Sequence, residues 1–301
     1  MSISATEPIH RAISWTEKVL FKPFDAGKWF VLGFCAFLAQ LGQGGSYSYR
    51  SSNAYQRPGA EAWNPFTDVA AWISAHRALT AMLVSSILIV VLGLIILFMW
   101  LSSRGQFMFL DGVARNRAEV REPWHRFRDL GNRLFRFRLA LLGIMLAILL
   151  VFSGAFVFAA IRAAHHGFDA IAIATFITLG AIFIVILLTG TIVDLLLRDF
   201  AVPVMYLRQT FAWDALGIVW REILPGNGWA FVRFYLMKLV LGLCSVVVIL
   251  VGCCLTCCLA ALPYLSSVVF LPIHVFFRSY SLLFLEQIGE EWKVIGRVEA
   301  I

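Results

Sequence analysis

Apolar positions in this chain are gathered into long runs, and the polar positions into the connections between them. Ala78 to Leu101, Leu139 to Ile161, Ile171 to Leu197 and Tyr235 to Ala261 are each long enough, at about 1.5 Å per residue, to cross a hydrocarbon layer of about 30 Å. The last run continues past Pro263 to Leu285, which as one helix would reach roughly 75 Å. The chain must therefore fold back, and Pro263 marks the turn, leaving Tyr264 to Leu283 as a separate span. A weaker run from Trp29 to Gly45, whose apolar part stops at Leu41, completes the set. The pattern predicts an all-α fold: a polytopic membrane helix bundle of about six transmembrane helices in one domain, 1–301. The spans fall at 29–45, 78–101, 139–161, 171–197, 235–261 and 264–283, with an interfacial segment at 1–28 and an outer loop at 46–77.

The connections repeat. Before each odd-numbered span stands a glycine-containing elbow followed by an aromatic residue: Asp25-Ala26-Gly27-Lys28-Trp29, Asp129-Leu130-Gly131-Asn132-Arg133-Leu134-Phe135 and Leu224-Pro225-Gly226-Asn227-Gly228-Trp229. After each even-numbered span comes an arginine with an apolar stretch, starting at Arg104, Arg198 and Arg278. These similarities divide the chain into three helical hairpins of roughly 100 residues each. The elbows read as amphipathic interfacial helices. Glu7 to Phe21 sets Ile13, Trp15, Val19 and Leu20 along one side, and Thr210 to Ile223 does so with Phe211, Leu216, Val219, Trp220 and Ile223. The run Pro123-Trp124-His125-Arg126-Phe127-Arg128 alternates aromatic with basic residues, which suits either anionic headgroups or ordinary anchoring.

Composition agrees: 60% of residues are hydrophobic and 14% charged, against roughly 25% charged in soluble domains. The formal charge of +7 does not point to nucleic acid, because the basic residues are sorted by connection. With the N-terminus in the cytoplasm, 21 of the 25 Lys and Arg fall on the cytoplasmic side, leaving only Arg50, Arg57, Arg77 and Arg162 outside. Both termini are then cytoplasmic, and no short apolar segment with a cleavage site predicts a removed signal peptide.

Three motifs fail on inspection. Asp111-Gly112-Val113-Ala114-Arg115 is one residue short of the CDP-alcohol phosphotransferase signature and lacks the downstream aspartates that would hold metal. Pro23-Phe24-Asp25-Ala26-Gly27-Lys28 fits the mitochondrial-carrier pattern but precedes its span and does not recur. Gly44-Gly45-Ser46-Tyr47-Ser48 has Ser48 where a nucleophile elbow requires glycine. No catalytic residue, cofactor or metal is therefore expected.

Two clusters carry the remaining chemistry. Cys253, Cys254, Cys257 and Cys258 form a doubled C-x-x-C that one helix cannot wrap around a metal, so it reads as close packing or as a thiol site needing a second helix. Asp194 and Arg198, like His274 and Arg278, are spaced by four residues; with Arg104, Asp111 and Glu286 they could form an inner polar layer, or simply pair locally at the interface. No charged residue falls at mid-depth in any span.

At Arg104-Gly105-Gln106-Phe107-Met108-Phe109-Leu110-Asp111-Gly112 and at Phe277 to Gly289 the chain resembles an uncharacterised family of bacterial multi-pass membrane proteins. More distantly it is similar to the membrane domain that accompanies some glycerophosphodiester phosphodiesterases, although the catalytic domain of those enzymes is absent. The resemblance implies the bacterial cytoplasmic membrane. The expected partners are the lipid bilayer with its anionic headgroups, and a protein partner or a second copy in a homo-oligomer. Two functions follow: a non-catalytic scaffold or lipid-binding component, with a closed apolar interior, or a transporter of a small or lipidic molecule, with a polar cavity near Asp194 and His274.

Overall fold

A computed structural model describes residues 3–41, 75–167, 170–255 and 263–296; all of its regular structure is helical. The outer loop up to residue 74 and the last part of the fifth apolar run, with Cys257 and Cys258, lie outside the described residues.

The helices in order are α1 (Glu7–Leu20), α2 (Ala26–Gln40), α3 (Arg77–Arg115), α4 (Arg121–Arg126), α5 (Arg128–His166) and α6 (Ala170–Leu196). A π turn (Leu197–Ala201) carries α6 straight into α7 (Val202–Arg208); α8 (Ala212–Ile218) runs on through a second π turn (Val219–Ile223), and α9 (Gly228–Leu255), α10 (Pro263–Val269) and α11 (Leu271–Glu286) follow, with a short 3-10 turn at Glu290–Trp292 after them. Among the described residues four helices are long and apolar enough to cross a membrane: α3, α5, the α6–α7 unit and α9. The other two expected spans differ. α2 has 15 residues, about 22 Å, and the predicted span 264–283 is broken at Phe270 into α10 and α11. The break has a local cause: Pro272 sits in the first turn of α11, where its missing N–H costs nothing, whereas inside one continuous helix it would leave a carbonyl unpaired.

Burial divides each long helix at a sharp boundary. α3 has 39 residues, about 58 Å, nearly twice a hydrocarbon core. Its upper part, including Met82, Ile87, Leu88 and Ile89, exposes its side chains, whereas every residue from Ser102 to Ala114 is buried by protein. The same boundary falls near residue 138 in α5, 197 in the α6–α7 unit and 235 in α9. The molecule is thus a packed helical base carrying four apolar helical extensions. Contiguous apolar exposure on that scale suits hydrocarbon and is ruinous in water. Lipid offers no hydrophobic drive to pull apolar helices together, so dense packing is confined to the base.

Aromatic residues dominate that packing. Phe234 lies with ring centroids 4.4 Å from Phe284 and 4.9 Å from Tyr280, and Phe200 lies 4.9 Å from Phe231, so α9, α11 and the π turn share one cluster. A second core joins Val19 and Leu20 of α1, Leu32 and Ala36 of α2, Met108 and Val113 of α3, and Leu271 and Val275 of α11. Two tryptophans stitch helix ends. The Trp15 indole donates to the Val113 carbonyl at 3.0 Å and the Trp29 indole to the Val268 carbonyl at 2.8 Å, in each case in the last turn of another helix, where carbonyls lack intrahelical partners.

The hairpin reading acquires detail. α3 and α7 both end on a left-handed non-glycine residue, Asn116 (φ 56°) and Gln209 (φ 55°). The three elbows are not alike, however. Gly226 (φ 78°) makes a true turn, Gly27 lies in the first turn of α2 behind the capping carboxylate of Asp25, and Gly131 lies inside α5. A Cβ on Gly131 would meet Arg104 Cγ at 2.7 Å, so this glycine serves close packing. The elbow helices also dock more deeply than amphipathicity suggests. α1 buries Pro8, Ala12, Thr16 and Val19 and turns Ile13 outward, while α8 and its π turn bury Ala212, Ala215, Val219 and Ile223 and expose Trp213 and Trp220.

Candidate functional site

The site begins with a proline. Pro203 cannot donate a backbone N–H, and in a regular helix its ring would strike the carbonyl of Asp199; the chain answers with the π turn at Leu197–Ala201. Within that turn the Val202 N–H bonds the Leu197 carbonyl, five residues back. The next such bond, to the Arg198 carbonyl, would have to come from Pro203, which has none to give. Arg278 of α11 supplies it instead, donating from Nη1 at 2.8 Å.

The same turn directs Asp199 into the base, where it is 6% exposed. Lys238 Nζ of α9 donates to both carboxylate oxygens, at 2.5 and 2.7 Å, and the Ser281 hydroxyl of α11 donates to one of them at 3.2 Å. Arg198, one residue earlier, points differently and pairs with Asp194 at 2.5 Å. One π turn therefore distributes two neighbouring charged residues to two partners.

Above these pairs lies a cavity of about 620 Å³, room for roughly twenty waters. All three thirds of the chain line it. The first contributes Gln40 and Gln106, the second Arg198 and Asp199, and the third Lys238, His274 and Arg278, while Phe37, Phe109, Leu195 and Phe277 make part of the wall apolar. Several polar groups of the wall find no partner among the described residues. Gln106 is 6% exposed with both amide atoms unpaired, and Nε and Nη2 of Arg278 and Nε of Arg198 are shielded and likewise unpaired. Leaving such groups unmet costs about 1–3 kcal/mol each, so they mark where a ligand or water belongs.

Of the residues expected in one polar layer, Arg198, His274 and Arg278 line this cavity and Asp194 adjoins it through Arg198. The others stand elsewhere. Arg104 lies over Trp100 (4.2 Å) and Trp124 (5.0 Å) and donates to Asn132 at 3.2 Å. Asp111 pairs with Arg115 at 3.0 Å and accepts from the Tyr206 hydroxyl at 2.6 Å, and Glu286 pairs with Arg11 at 3.0 Å. Asp199, Lys238 and Gln106 were not foreseen: Asp199 followed Arg198 in the repeat, but nothing in the sequence pairs it with a lysine 39 residues away. In the thiol cluster Cys253 is half-buried and Cys254 exposed near the end of α9. Among the described residues no group of three or more His, Cys, Asp or Glu could hold a metal ion.

Fold and site define a class: a protein whose described residues form helices, four of them apolar and of membrane length, rising from a packed base that holds an open cavity of mixed apolar and polar lining. The chain belongs to a family of unknown function, DUF7544, whose model matches residues 3–265. No significant match was found among curated proteins or among solved structures.

Proposed function

We propose that the chain is a multi-pass membrane protein without catalytic activity that binds a small amphiphilic molecule in the cavity formed by its three hairpins. One observation carries this reading: a cavity of ligand size, part apolar and part polar, whose wall holds buried hydrogen-bonding groups with no partner among the described residues. A pure scaffold has no use for such groups, whereas a lipid-binding component does. The cavity also sits at the boundary between packed base and exposed extensions, at Leu195, Arg198 and Lys238. At that level a lipid headgroup would meet the polar wall while its chain followed the apolar helices.

Binding is favoured over passage of a polar solute. Residues 78–103, 139–161, 173–193 and 239–254 contain no Asp, Glu, Lys or Arg, so the extensions offer no charged path beyond the cavity. The basic base faces the cytoplasm in this reading, with both termini on that side. Purification in mild detergent followed by native mass spectrometry tests it. A small molecule held at one per chain is the expected result; a preparation free of any bound molecule, and unresponsive in thermal stability to every added lipid, would refute it.

A further inference from the structure

The charges around the cavity identify the kind of headgroup it accepts. Arg198 is neutralised by Asp194 and Lys238 by Asp199, so each pair is locally complete. Arg278 feels the charge of Asp199, which Lys238 already holds, but the partner of its own Nη1 is a neutral carbonyl, and among the described residues its Nε and Nη2 have none. A guanidinium cannot shed its proton to escape this situation, and its planar fork matches a phosphate or carboxylate oxygen pair. Arg138, 8% exposed and with Nη2 unpaired among the described residues, is near enough to Arg198 and Asp194 for their charges to act on it, so that Asp194 faces two arginines. Gln106, also on the wall and also unpaired, supplies a neutral amide donor for a further headgroup oxygen.

We infer that the cavity binds an anionic amphiphile, a phosphate- or carboxylate-bearing headgroup on an acyl chain, with Arg278 as its charge anchor and Gln106 as a second donor. This rests on the ligand-binding reading above and adds the sign of the ligand's charge. The Lys238–Asp199 pair is the brace that fixes α9 against the π turn and α11, and takes no share in the ligand. Amphiphiles without net negative charge bind weakly: a neutral headgroup leaves Arg278 unmatched, and a zwitterionic one such as phosphatidylcholine brings its own cation beside Arg278 and Arg198.

The test uses the full chain in mild detergent, its thermal unfolding followed while phosphatidylglycerol, a free fatty acid, phosphatidylcholine or inorganic phosphate is added. Phosphatidylglycerol or the fatty acid should raise the transition temperature; phosphatidylcholine and inorganic phosphate should not. Arg278→Gln should weaken binding of the anionic lipid by tenfold or more. Arg278→Lys, which keeps the charge but loses the fork, should fall between, and Arg11→Gln on the surface should match the native chain. Gln106→Ala, which disturbs no charge, gives a separate measure if the arginine variants unfold, with a several-fold weakening expected. Equal response to phosphatidylcholine, or unchanged affinity in both Arg278→Gln and Gln106→Ala, overturns the anionic assignment while leaving a lipid-binding protein. Stabilisation by inorganic phosphate alone overturns the amphiphile in favour of a free anion, and response to nothing removes the underlying reading as well.

Discussion

Lys238 and Asp199 show how one residue's fate depends on the other. The aspartate side chain is 9% exposed and the lysine 23%, so removing the lysine strands a carboxylate away from water. Breaking a fully buried pair costs roughly 3–5 kcal/mol; with the lysine still partly wetted, about 2 kcal/mol is expected for Lys238→Met. Adding Asp199→Asn should restore most of that, because the neutral amide oxygen still accepts from Ser281 and no charge remains to be desolvated. A double-mutant cycle of thermal stability in detergent checks this, and additive losses would show that the pair is not a unit. Trp29 makes the second residue-scale case. Trp29→Phe keeps the apolar ring but removes the donor to Val268, leaving a carbonyl in the last turn of α10 unmet, with an expected loss of about 1 kcal/mol. A loss indistinguishable from zero would mean that water replaces the indole without penalty.

At the scale of elements, helix approach is set by glycines whose value the sequence alone does not disclose. A Cβ at Gly105 in α3 would lie 2.6 Å from the backbone of Leu38 and Ala39 in α2, so α2 and α3 cross with nothing between them. Gly93, in the exposed part of the same helix, has open space where its Cβ would be. Gly105→Ala should therefore cost about 3 kcal/mol by forcing the helices apart, while Gly93→Ala should be neutral or up to about 1 kcal/mol stabilising through helix propensity. Comparing the unfolding temperatures of the two variants decides it, and equal effects would contradict the close crossing. Run lengths such as Ala78 to Leu101 were legible because they depend only on composition, and so were the places where Arg198 and Arg278 follow their spans. The break at Phe270 was not read, although Pro272 was there to signal it, because the run on both sides of it stays apolar and hydropathy alone does not register a lost backbone donor. The partner of Asp199 was illegible for a different reason. Its contact with Lys238 depends on a π turn induced by Pro203, a displacement of one residue that redirects every side chain after it.

At the scale of the whole molecule, the separation between a packed base and bare apolar extensions leads to a prediction about sidedness. Four membrane-length helices, or six spans if α2 and the α10–α11 segment also cross, are even numbers, and either returns the chain to the side on which it began. The basic residues sit with the base, so the positive-inside bias predicts that this side faces the cytoplasm. Cys254 stands near the far end of α9, exposed, while Arg221 lies in the exposed part of the base. In chains freed of their other cysteines, a membrane-impermeant maleimide applied to intact cells should label Cys254 and should fail to label an Arg221→Cys variant until the membrane is opened. Reporter tags on the two termini should both stay protected in the same cells. The two assays probe different links: agreement between the tags reads whether the number of crossings is even, and the cysteines read which way the base points. Tags on opposite sides would mean that one of the extensions does not cross. Labelling of the Arg221→Cys position in intact cells, with tags accessible together, would mean that the molecule is inverted and that packing of the base, rather than its arginines, governs how the chain is inserted.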